Sequence, residues 1–441
     1  MPYIPHTDAD RERMLKTIGV GSLDDLFREI PANLRVNGEV DIPAWLDEHA
    51  IGKALGEIAS KNRSLDQTVS FLGAGIYEHY IPSIVIELIS RGEFLSAYTP
   101  YQPEVSQGYL QTIYEFQSMV CAITGMDVCN ASMYDGATAL AEAAVMAHGV
   151  TGRDKVVMSD SIHPHYKDCV RTLAAGIGIE VEEVPAAVAH ERLDKDVACV
   201  LFQYPDFYGR ILDPRHLIRE AHTHGALAIA ACEPISLGAI EPPGKMECDV
   251  VVGEAQPMGV PMGYGGPMVG YFCVRRALVR AIPGRIVGRT HDKEGRRGFV
   301  MTLRTREQDI RREKATSNIC TNQALMALCT TVWMAALGKG GLRQIAEASV
   351  QKAHYAAQEL CKIAGVSLAF TEAPFAFEFA VDLGRDAAAI RDALLDKGIL
   401  AGLPLGDFRS DMKNLLLVAV TEVRTRQQID DFVHQIGQAL N

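Results

Sequence analysis

The chain has 441 residues, so length alone implies two or three domains with a large core and excludes a small scaffold stabilised by disulfides or metal. Hydrophobic residues at 48% and charged residues at 22% match a soluble globular protein, and a formal net charge of −12 argues against a dedicated binder of nucleic acid or anionic membrane. The ten cysteines show no CxxC or zinc-finger spacing. They sit in apolar or helical patterns, as at Cys121, Cys199, Cys273, Cys329 and Cys361, which predicts free buried thiols and no metal site. No charged-then-apolar leader opens the chain and no apolar run approaches the ~20 residues of a membrane span, so a cytoplasmic location is expected.

In chain order, residues 7 to 62 read as capped helices. Thr7-Asp8 precedes an amphipathic turn ending near Gly19, Ser22 opens a capping-box-like segment, and Ile42 to Ala59 is periodic. Ile81 to Ser90 predicts a helix. The stretch Ser96 to Gly108 cannot be regular, because Pro100 and Pro103 remove backbone donors and restrict their predecessors. A loop so rich in Tyr, Thr, Gln and Glu is a binding loop or an ordered connector.

From Tyr109 onward helices and short apolar strands alternate. Strands are expected at Lys155–Met158, Glu180–Val184, Val197–Phe202, Leu227–Ala231, Cys248–Val252 and Met268–Val274. Helices are expected at Tyr109–Ile123, from Gly136, at Tyr166–Ala175 and at Pro214–His224. Apolar strands of this length separated by helices imply an α/β fold with a mostly parallel sheet covered on both faces. Residues 285 to 314 carry ten Lys/Arg against five Asp/Glu and three glycines, which reads as a basic mobile loop or a solvated, charge-mixed surface. A helix to Leu337, the glycine-rich break at 338–341 and a second helix to Ile363 lead into a small α+β tail ending in a Thr425-capped helix.

Three features bear on chemistry. Asn130 to Thr138 opens a small-residue helix whose N–H groups and dipole suit a phosphate, with Ser132, Gly136, Ala137 and Thr138 as candidates; Ser132 and Thr138 are equally ordinary caps. His163 follows the Lys155–Met158 strand, where a histidine can stack on a flat ring, act as acid or base, or simply be hydrogen-bonded. Glu233 ends the 227–231 strand, where a carboxylate can face a protonated ring nitrogen or serve as a local cap. The strand Cys248–Val252 then runs into the glycine-rich segment Gly253 to Pro267. In many α/β enzymes that use pyridoxal phosphate a lysine follows such a strand, but here none lies between Lys245 and Lys293.

Tyr98 to Gly108, Tyr134-Asp135-Gly136-Ala137-Thr138, the 249–267 stretch ending Gly265-Gly266-Pro267, and Gly295-Arg296-Arg297-Gly298-Phe299 together resemble the glycine cleavage system P protein. Within that family they are most similar to subunit 1, the α subunit of the two-subunit bacterial glycine dehydrogenase (decarboxylating). The resemblance covers essentially the whole chain. It implies the aspartate-aminotransferase-like fold of type I pyridoxal-phosphate enzymes, with an N-terminal helical arm (1–65), a large domain (66–337) and a small C-terminal α+β domain (338–441). It also implies the reaction: glycine loses CO2 on the cofactor, and the aminomethyl group passes to the lipoyl arm of the H protein.

The family's cofactor lysine belongs to the other half, inside a His-Lys-Thr sequence, and the matching position here falls at about Pro257, which has no amine. His163 matches the ring-stacking histidine, and Glu233 stands where the functional half has an aspartate. The resemblance therefore implies a degenerate cofactor pocket, no catalytic residue in this chain alone, and pyridoxal phosphate held covalently by a lysine-bearing β subunit. Tyr98, Thr99, Tyr101, Gln102, Glu104, Ser106 and Gln107 become candidates for a loop reaching into the partner's site, or else for an interface or core loop. The basic 285–314 segment is a candidate for admitting the acidic H protein. A structural or regulatory scaffold remains an alternative. So does a standalone enzyme using Lys245 or Lys293, although neither lysine has the required placement.

Overall fold

The computed structural model describes residues 4–36, 38, 40–95, 99–304, 308–315, 317, 319 and 322–441. They form two compact units, Met1–Arg63 and Ser64–Asn441.

In the first unit, helix Asp8–Ile18 starts with a capping box. The Thr7 hydroxyl accepts from the Asp10 N–H, and the Asp10 carboxylate accepts from the Thr7 N–H. Gly19, at φ 85°, ends the helix in the left-handed conformation. The second helix runs Glu48–Ala59 and does not begin at Ile42. Asp47 supplies the cap by accepting from the Ala50 N–H, and Pro43 holds the chain before it extended. The segment after Ser22 forms only a single 3₁₀ turn, Asp24–Phe27.

The second unit is built on a seven-stranded sheet. Its order is Val128–Cys129, Gly270–Val274, Val250–Glu254, Leu227–Cys232, Val197–Tyr204, Lys155–Ser159, Glu180–Val184. Only Gly270–Val274 opposes the common direction. Successive residues face opposite cores. Val157, Val200, Ala228, Val251 and Cys273 join one apolar cluster; Val156, Leu201, Ile229, Val252 and Phe272 join the other with helices Gly136–Thr151 and Pro164–Ile177. Burial on both faces explains why these strands read as unbroken apolar runs.

Helix Ala324–Leu360 crosses the first core with Trp333, Ala346, Ala353 and Leu360 buried, and breaks helical geometry at Gly338 (φ 61°, ψ −176°). The division expected at 338 falls at this kink, and the helix continues through it. By length and composition this one described helix could cross a membrane, although Lys339 and Arg343 interrupt its apolar run; here its buried face belongs to the core. The C-terminal part adds a four-stranded antiparallel sheet and the Thr425-capped helix Arg426–Leu440.

Three sequence expectations need correction. Residues 286–302 are not an open loop but a hairpin, Ile286–His291 paired antiparallel with Arg297–Thr302. Asp292 closes its turn by accepting from the N–H groups of Glu294 and Arg296, with Gly295 at φ 78°. The strands Ile399–Leu400 and Leu403–Pro404 were not expected; the first pairs in parallel with Val69–Ser70. Cys361, expected inside, is exposed, whereas Cys199, Cys273 and Cys329 are buried.

Candidate functional site

Helix Gly136–Thr151 packs closely on the sheet because Ala139, Ala143, Ala144 and Ala147 leave no bulk between them. Its first turn therefore lies against the end of strand Val250–Glu254, and a Cβ at Gly136 would fall onto the Tyr166 hydroxyl and the backbone of Gly253 and Glu254. The Asp135 carboxylate accepts from the Thr138 N–H at 2.8 Å. The Gly136 N–H donates to Glu254 Oε2 at 3.0 Å. Glu254 Oε1 accepts from the N–H groups of Gln256 (2.9 Å) and Val269 (2.8 Å). Glu254 is 7% exposed, and burial pushes its carboxyl up to about 7 against the pull of these three donors.

Glu254 lies on a cavity of about 610 Å³ walled by residues 72–76, Gly136, Ala137, His163, Tyr166, Gln256 and the glycine-rich segment 261–268. Among the described residues the lining contains no lysine or arginine. His163 caps helix Pro164–Ile177. Its Nδ1 accepts from the His165 N–H at 3.1 Å, which leaves Nε2–H to donate to the Ala74 carbonyl at 2.9 Å. Burial lowers its pKa to about 4, so the ring is neutral at physiological pH.

The structure gathers Gly136, Ala137 and His163 at the cavity and leaves the other pocket candidates outside its lining. Ser132 accepts from the Asn322 side chain and the Gln323 N–H, joining this region to the start of the long core helix. Thr138 is turned back onto Asp135. Of the two roles the sequence left open for Glu233, the structure shows the local cap: its two oxygens accept from the Ile235 and Ser236 N–H groups. Pro257 is buried.

The 98–108 loop lies elsewhere in the same unit. Tyr98 is outside the described residues. The Thr99 hydroxyl is buried without a hydrogen-bond partner among the described residues. Tyr101, Gln102 and Glu104 are exposed, while Ser106 and Gln107 are half-buried. Gln107 fastens the loop to the hairpin, donating to the Pro103 and Phe299 carbonyls and accepting from the Phe299 N–H at 2.8 Å. Arg285 donates to the Tyr101 hydroxyl at 3.2 Å and lies over its ring.

Two elements escaped sequence reasoning. Glu254 is one: its only signal was a carboxylate ending an otherwise apolar strand. The other is the clamp on the 73–80 segment. Gln256 accepts from the Tyr77 N–H, Glu378 accepts from the Ala74 N–H and the Tyr77 hydroxyl, and Glu422 accepts from the Tyr80 N–H. These carboxylates lie some 300 residues downstream, beyond any local pattern.

The residues present do not fit a covalently held pyridoxal phosphate. No lysine lines the described cavity wall, Glu254 takes the helix-start N–H that a phosphate would use, and Glu233 is spent on its own loop.

The glycine cleavage system P-protein family matches residues 1–436. The chain belongs to this family. A probable glycine dehydrogenase (decarboxylating) subunit 1 of Anoxybacillus flavithermus is 49% identical over 442 aligned residues, covering 99% of this chain and 98% of that protein. The crystal structure of an inhibitor-bound glycine decarboxylase (P-protein) of the glycine cleavage system superposes with a TM-score of 0.90 at 40% identity, covering 100% of both chains. A C-DES structure with glycine linked to its pyridoxal-phosphate cofactor matches with a TM-score of 0.59 at 16% identity over 81% of this chain and 93% of that one, a likeness of fold alone. P-protein family members thus share the type I fold of pyridoxal-phosphate enzymes.

Proposed function

We propose that this chain is the subunit of a glycine dehydrogenase (decarboxylating) that does not carry the cofactor lysine. With a lysine-bearing β subunit it removes CO2 from glycine, and the aminomethyl group passes to the lipoyl group of an H protein. Pyridoxal phosphate supplies the decarboxylation chemistry from the partner's site. This chain contributes the loop Thr99–Gln107, which presents Tyr101, Gln102 and Glu104 outward, and the organisation into an arm to about 65, a large domain to 337 and a small domain beyond. The observation that carries the reading is near-full-length identity to a subunit 1 protein, combined with a described cavity lining that contains no lysine.

The purified chain, mixed with pyridoxal phosphate, is expected to show neither cofactor absorbance nor glycine-dependent CO2 exchange. Addition of the companion subunit restores both. Colour and exchange from this chain alone would make it a standalone enzyme.

A further inference from the structure

The hairpin tip from Arg289 to Arg297 is exposed throughout, and it carries Arg289, Lys293, Arg296 and Arg297 against two carboxylates, Asp292 and Glu294. Both carboxylates are spent on one arginine: Arg296 pairs with Asp292 at 2.7 Å and with Glu294 at 3.1 Å. That leaves Arg289, Lys293 and Arg297 without an ion pair among the described residues. At the base of the hairpin Arg285 has no carboxylate either. Its Nη2 donates to the hydroxyl of the exposed Tyr101, and its Nη1 is buried without an acceptor. The chain as a whole has a net charge of −12, so this cationic end is a local reversal.

Strand alternation puts Arg289, His291 and Arg297 on one face, since Arg297 stands opposite His291 and Arg289 opposite Phe299. Arg289 and Arg297 are thus diagonal neighbours about 7–8 Å apart, where like charges repel and cost the free chain stability. Exposed ion pairs are each worth under about 1 kcal/mol, so this face holds no single small anion well and suits a surface bearing several carboxylates. Among the described residues, none of the exposed large apolar side chains lies in 286–302. A permanent subunit contact is built on an apolar core, whereas charge without apolar surface suits a partner that is steered in and leaves again. In the proposed reaction that partner is the H protein, which arrives and departs at each turnover. We infer that the face of Arg289 and Arg297, with Lys293 at the turn between them, is the docking surface for H protein, which meets it with a carboxylate-rich face. Gln107 ties this hairpin to the loop Thr99–Gln107, so the docked carrier is set down beside the loop assigned to the partner's site. The inference rests on the proposed function.

The test uses the reconstituted pair, with lipoylated H protein as the varied substrate. Arg289→Gln/Arg297→Gln is expected to raise the KM for H protein about 10-fold at low salt, and Arg289→Glu/Arg297→Glu about 100-fold. The KM for glycine is expected to stay where it is. Arg343→Glu reverses an exposed charge on the long core helix and is expected to move neither KM. In wild type, added NaCl is expected to raise the KM for H protein, and in the double Glu variant that dependence is lost. A wild-type KM for H protein in the double Glu variant would overturn the inference and leave the proposed function standing. So would a wild-type KM indifferent to salt, a measurement that needs no variant to fold. A wild-type pair that passes no aminomethyl group to H protein would overturn both.

Discussion

Gln107→Ala is expected to lower glycine-dependent CO2 exchange of the reconstituted pair by about 100-fold, with the two chains still assembled. One side-chain amide holds the loop by three hydrogen bonds, two to Phe299 in the hairpin and one to Pro103 inside the loop. On the proposed role of this loop at the partner's site, their loss frees the exposed residues Tyr101, Gln102 and Glu104 to shift together, and a displacement of about 1 Å there is enough for a change of that size. The cost to the chain's own stability is smaller, about 1–3 kcal/mol, because the amide is half-buried and water can replace part of what it satisfied. Exchange kinetics and gel filtration on the same sample separate the two effects. Normal exchange by an intact assembly would make this loop an assembly contact without a role at the site.

Trp333→Ala should destabilise the chain by about 3–5 kcal/mol, read as a fall in the urea midpoint. The indole is fully buried in the larger core, and its Nε1–H donates to the Tyr80 carbonyl at 2.9 Å. Its Cβ also packs against Gly259, which sits at φ 101° with no room for a side chain. One residue thus supports both the 73–80 segment and the loop after strand Val250–Glu254, the two sides of the cavity. Trp333→Phe keeps one six-membered ring but loses the pyrrole ring and its donor, so a smaller loss of about 1–3 kcal/mol is expected. A loss in Trp333→Ala no larger than in Trp333→Phe would mean that the core closes over the missing ring.

The central strands of the sheet were legible because they are buried on both faces and mostly apolar, unlike the edge strand Glu180–Val184 with its three glutamates, and the terminal helices because Thr7, Gly19 and Thr425 mark their ends. The hairpin at 286–302 was hidden by its arginines and glycines. They read as a loop, although Ile286, Val287, Phe299 and Val300 supply strand-forming side chains to its two arms. Glu233 stayed open between two roles because composition cannot separate a carboxylate aimed at a ligand from one that caps its own turn. Glu254 was passed over for the converse reason: its three donors come from positions 136, 256 and 269, and only folding brings them together. His163 lines the cavity, but the burial that keeps its ring neutral and the Ala74 carbonyl, 89 residues upstream, that accepts its Nε2–H come together only in the fold.

The central claim is that the cofactor is bound covalently by the partner and not by this chain. Borohydride reduction of the assembled complex, followed by intact mass measurement of each separated subunit, tests it directly. The account predicts that the partner gains one pyridoxyl phosphate group on a lysine and that this chain keeps its unmodified mass. A pyridoxyl-lysine in this chain, at Lys245, Lys293 or elsewhere, would contradict it.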